Sequence, residues 1–136
     1  MKPNVLLAIT SLFVILLATF HLADDIVRGF EKGVVSNLAA VPFMVLWLYA
    51  LVLVLAERRS GHAINLLFSL FVLVVPLVHM SGKGVGAGSR IANSSGALFF
   101  VWTLIAIGVT GLFSAVLSAR ELWSLRGGRP PGKRPL

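Results

Sequence analysis

Three observations predict an all-α fold, a transmembrane four-helix bundle that runs up-down-up-down with both termini cytoplasmic. Four stretches, Val5 to Phe20, Leu38 to Ala56, Ala63 to Val78 and Gly96 to Ser118, contain no Asp, Glu, Lys, Arg or His. Each approaches the roughly 20 apolar residues that a helix needs to cross about 30 Å of hydrocarbon. Hydrophobic residues make up 57% of the 136 and charged residues 12%, a balance that leaves a soluble domain too little polar surface to cover itself. The third observation is the placement of positive charge. With both ends inside, Lys2, Arg58, Arg59, Arg120, Arg126, Arg129, Lys133 and Arg134 are cytoplasmic, and Arg28, Lys32, Lys83 and Arg90 are external, the asymmetry of a plasma-membrane protein. Asp24, Asp25 and Glu31 fall outside and Glu57 and Glu121 inside, so most of the formal +7 lies on the cytoplasmic side.

The first span covers about 5–22 and is expected to continue helical past the membrane until Gly29. A signal peptidase cutting after Ala23 would meet bulky His21 three residues before the cut, so the segment is expected to be retained as a span. Ser36 or Asn37 is placed to cap the second span, about 38–56, and Pro42 sits near its start, where a missing amide costs little. Glu57 to His62 reads as a tight polar turn, with His62 expected at the surface. The third span, about 63–80, contains Pro76, which predicts a local kink just below His79.

Ser81 to Ser89 carries a glycine at every second position and lacks Walker spacing, so it reads as a flexible external loop. Asn93, Ser94 and Ser95 are expected to cap the fourth span, about 96–118. Residues 1–126 thus form a single membrane domain, and 127–136 form a disordered basic tail able to hold anionic lipid headgroups.

Helical phase predicts which faces meet. Asn65, Ser69, Val72, Pro76 and His79 share one stripe, as do Thr10, Val14, Leu17, His21, Asp24, Asp25 and Arg28. Thr103, Thr110, Ser114 and Ser118 fall roughly in line on the last span. Polar groups avoid lipid, so Thr10, Asn65, Ser69, Thr103, Thr110 and Ser114 are expected to form an inter-helix seam. Gly108, Gly111 and Ala115 beside it would allow close helix approach.

The constellation with chemical potential is at the outer end. His21 and His79 end the first and third spans, and Asp24 and Asp25 lie one turn beyond His21. Imidazoles with carboxylates suit zinc, copper or iron, and two facing histidines could hold a haem. The absence of cysteine excludes disulfides, thiolate metal sites and iron–sulfur clusters. No nucleophile and base can be paired, so no catalytic residue is assigned; no cofactor is predicted, with a metal ion or haem at the histidines kept as the alternative. A nucleic-acid surface is not expected either, since the basic residues form only a juxtamembrane cluster.

The segments His21 to Gly29, HLADDIVRG, and Arg90 to Phe100, RIANSSGALFF, are similar to those of small four-span bacterial integral membrane proteins. That resemblance implies the topology and no particular chemistry. The four-span length also resembles that of small multidrug exporters, but their glutamate within the first span has no counterpart among Val5 to Phe20. The sequence thus reads as a noncatalytic accessory or interaction subunit of a plasma membrane, associating with itself or a larger complex. A protein that binds metal or haem through His21 and His79 is one alternative, and a small channel or carrier lined by the seam is another.

Overall fold

The computed structural model describes residues 1–30, 38, 40–81, 91 and 95–126. The cap residues Ser36, Asn37, Asn93 and Ser94, the cations Lys32, Lys83 and Arg90, most of the glycine-rich loop and the basic tail lie outside the described residues. What is described is helical. Helix α1 spans Pro3–Val27, α2 Ala40–Leu55, α3 Arg59–Val72, α4 Val74–Met80 and α5 Ala97–Arg126. Three helical stretches, Pro3–Val27, Arg59–Met80 and Ala97–Arg126, are long and apolar enough to cross a membrane. At about 1.5 Å per residue, the apolar α2 is shorter than a hydrocarbon core.

Each boundary has a local cause. Pro3 occupies the first turn of α1, where its missing N–H is no loss. At the other end Gly29 takes φ 71°, and the Gly29 and Phe30 amides donate to the Ile26 and Asp25 carbonyls. That pairing closes a helix through a left-handed residue. The same closure ends α2, where the Glu57 and Arg58 amides donate to the Val54 and Leu53 carbonyls. Here the left-handed residue is Glu57, at φ 58°, a conformation that costs a side-chain-bearing residue about 1–2 kcal/mol. Glu57→Gly is therefore expected to raise stability by about 1 kcal/mol, read as a higher unfolding midpoint in detergent; an unchanged or lower midpoint would contradict that strain.

Pro76 has no N–H to offer the Val72 carbonyl, and α3 ends at Val72. The interruption therefore falls at Leu73, a turn before the proline and not just below His79, and Leu73 keeps near-helical angles of φ −65° and ψ −21°. Pro42, the third residue of α2, is tolerated as expected of a first-turn position.

Helix α5 packs against both α1 and α3, and α2 packs against α3 and, less extensively, α1. Val14, Leu17, Trp47, Leu51, Val72 and Ile107 form the central apolar cluster. Leu7, Val54 and Leu117 form a second cluster at one end, and Ile91, Phe100 and Leu104 a third at the other, with Phe30 against it. The distribution of polarity is inverted relative to a water-soluble protein. Ser11, Asn65, Ser69, Thr103, Ser114 and Ser118 are fully buried, whereas Phe13, Phe20, Val52, Val109 and Phe113 face outward. An apolar belt of that extent is a liability in water and the natural exterior in lipid.

His62 departs from its expected place. Helix α3 starts at Arg59, so residue 62 already follows helical phase, one step of three before Asn65. Its side chain is buried and does not lie on the surface of the turn.

Candidate functional site

Two polar assemblies lie inside the apolar envelope. The first ties the helices together at mid-length. Asn65 accepts the Trp47 indole N–H at 2.7 Å, and its amide group donates to Ser114 at 3.1 Å and Ser118 at 2.8 Å. The Ser114 hydroxyl also meets Ser11 at 2.7 Å and Ser69 at 2.8 Å. One residue of α1, one of α2, two of α3 and two of α5 thus share a continuous network. Such bonds between membrane helices contribute about 0.6–2 kcal/mol each.

Of the residues expected in the seam, Asn65, Ser69 and Ser114 are brought together here. Thr10 and Thr110 instead return their hydroxyls to their own helices, at Leu6 O (2.9 Å) and Ala106 O (2.6 Å). Thr103 belongs to the second assembly. The side chains bond one another across the helix contacts, an arrangement that glues helices together. Gly111 is a true close approach, since a Cβ there would sit 2.8 Å from Val72 Cγ1, whereas at Gly108 the nearest atom is Pro76 Cγ at an ordinary 3.5 Å. Ala115 is buried beside Ser114.

The second assembly lies toward the end marked by Phe100. His21 and Asp25 are one helical turn apart on α1, and His79 reaches them from α4. One donor atom from each lies within 4.8 Å of the others. The surrounding acceptors determine how the imidazoles are protonated. Thr103 donates its hydroxyl to Phe100 O at 2.9 Å, so its oxygen accepts from His21 Nδ1 at 3.1 Å. His79 Nδ1 lies 2.9 Å from Val75 O, which can only accept. Both rings therefore carry a proton on Nδ1 and turn Nε2 toward Asp25 Oδ2, at 3.7 Å from His21 and 3.2 Å from His79.

His79 Nε2 lies within hydrogen-bond distance of a carboxylate oxygen that can only accept, so either a proton on Nε2 or a metal ion suits the space between them. A proton on His79 Nε2 satisfies that contact, but His21 Nε2 and Asp25 Oδ1 are still buried without a hydrogen-bond partner among the described residues. A metal ion would engage all three residues. With bonds of about 2.0–2.2 Å, tetrahedral ligand atoms lie about 3.3 Å apart, close to the two separations involving Asp25. The hydroxyl and carbonyl that hold Nδ1–H are the kind of outer partner that fixes ligating histidines. The rings of His21 and His79 lie 5.0 Å apart centre to centre, and Phe100 covers both at 4.8 and 6.4 Å.

Asp24 does not join this group. Its Oδ2 accepts from Arg28 Nε at 2.7 Å, one turn along α1. Adjacent residues on a helix point about 100° apart, so Asp24 and Asp25 could not both face His79. Arg28 also donates to Ser95 O at 2.9 Å, fastening the end of α1 to the entry of α5. The contributions of Thr103 and Phe100 were not evident from sequence, because His21 and Thr103 are 82 positions apart and only the packing of α1 on α5 joins them.

Compared with protein-family models, curated proteins and solved structures, the chain matches none.

Proposed function

We propose that the chain is a four-span, up-down-up-down protein of a bacterial plasma membrane, with both termini cytoplasmic, that binds one divalent transition-metal ion at its outer face. His21 Nε2, His79 Nε2 and a carboxylate oxygen of Asp25 would hold the ion. The carrying observation is that both Nδ1 atoms lie against Thr103 and Val75, which turns both Nε2 atoms toward Asp25 and leaves one ligand atom of each of the three residues within 4.8 Å of the others. Positive charge supports the orientation, since Arg58, Arg59, Arg120 and Arg126 gather at the end opposite the histidines.

Two nitrogens and one oxygen, with no sulfur, suit zinc, iron(II), nickel or copper(II) better than copper(I). Three protein ligands leave a coordination position for a molecule from outside the chain. Asp25 between the rings and Phe100 against them favour a bare ion over a haem, which would need that space for its macrocycle.

Titration of the chelator-stripped, full-length protein with cobalt(II) or zinc(II) in mild detergent tests the reading. One ion per chain is expected, with the visible absorption of tetrahedral cobalt. Absence of saturable binding, or binding with only an octahedral, water-like cobalt spectrum, would overturn it.

A further inference from the structure

We propose that the other end of the molecule carries a binding site for a single anionic phospholipid, in a cleft between the start of α3 and the end of α5. This goes beyond the metal reading and requires only that the chain sit in a bilayer. The cleft is about 360 Å³. Its cause is in the sequence: Ala63 on α3 and Ala119 on α5 are too small to fill the gap between their helices, and Leu66 and Leu122 make its walls apolar.

The rim is of opposite character. Arg59 lies four residues before Ala63, and Arg126 lies four after Leu122, so each stands on the same helical stripe as the wall beneath it. Both arginines are exposed, and neither is ion-paired with a carboxylate among the described residues. Trp123, 78% exposed beside them, marks the depth at which indoles sit between headgroup and acyl chain.

Two guanidiniums above a hydrocarbon-lined slot match one chemistry, a phosphate attached to an acyl chain. Arginine meets phosphate oxygens through paired N–H donors, and the slot takes the first part of the chain. The basic tail is a poor occupant, since Arg129, Lys133 and Arg134 carry the same sign as the rim.

Native mass spectrometry of the full-length protein with phosphatidylglycerol and phosphatidylcholine of identical chains tests the proposal. One phosphatidylglycerol per chain is expected, held about 30-fold more tightly than phosphatidylcholine, as two interfacial cations imply. The double variant Arg59→Gln/Arg126→Gln should erase that preference, and Ala119→Phe, which fills the slot, should weaken both lipids. Arg58→Gln removes a charge at the same end but outside the cleft and should change nothing. Equal retention of the two lipids would overturn the proposal. So would an equal effect of Arg58→Gln, which would mean diffuse surface charge, or displacement of the lipid by millimolar inorganic phosphate, which would mean an anion site without a lipid slot. The wild-type lipid comparison does not depend on any variant folding.

Discussion

His21→Ala is expected to weaken metal binding by at least a hundredfold, and Thr103→Val by about 10- to 100-fold. The first change removes a donor atom. The second leaves all three donors in place and removes the oxygen that accepts His21 Nδ1–H. Without that acceptor the ring is free to carry its proton on Nε2, where the ion would bind. Asp24→Asn serves as the control, since its carboxylate is engaged with Arg28 and does not face the triad. Competition against a chromophoric chelator would measure all three. Equal affinities for His21→Ala and the wild type would place the ion elsewhere, and a loss with Asp24→Asn equal to that of His21→Ala would show that bulk negative charge, not this geometry, binds it.

Gly61→Val is expected to cost about 3 kcal/mol or more, enough to separate α2 from α3. A Cβ at position 61 would lie 2.5 Å from Val54 N, 2.6 Å from Leu53 C and 2.7 Å from Leu53 Cβ. These are the backbone and side-chain root of the last turns of α2, and they cannot rotate away as a side-chain tip can. The tight Glu57 turn fixes them further through its paired amide bonds. Gly61→Ala should already be destabilising, while Gly108→Ala, which meets only Pro76 Cγ at 3.5 Å, should be near neutral. Unfolding midpoints in detergent would rank the three; a Gly61→Val protein as stable as the wild type would mean that the two helices do not approach this closely.

Much of the helical layout was legible because charge-free runs and helix-ending residues are local signals. Gly29 and Pro76 each act on their own helix. The stripe of Asn65 and Ser69 was equally readable, since burial of polar groups away from lipid follows from helical phase. Contacts between helices were not readable in the same way. Nothing local to Trp47 marks its indole as the partner of Asn65, and Thr103 fell in line with Ser114 although its hydroxyl serves a different assembly. Gly61 gave no signal, because a glycine in a polar turn looks the same whether it faces solvent or another backbone. The expectation for His62 failed for a related reason: the residue was assigned to a turn that is in fact the first helical turn of α3.

The interruption at Leu73 gives the three donor groups unequal freedom. His21 and Asp25 ride on one unbroken helix and move as a rigid pair. His79 is carried by a seven-residue segment whose proline has cut a rung from the hydrogen-bond ladder linking it to the parent helix. At the proposed metal site, that missing rung leaves the segment bearing the second imidazole less tightly tied to its parent helix, so the closure of the clasp would be set by a residue that is not itself a ligand.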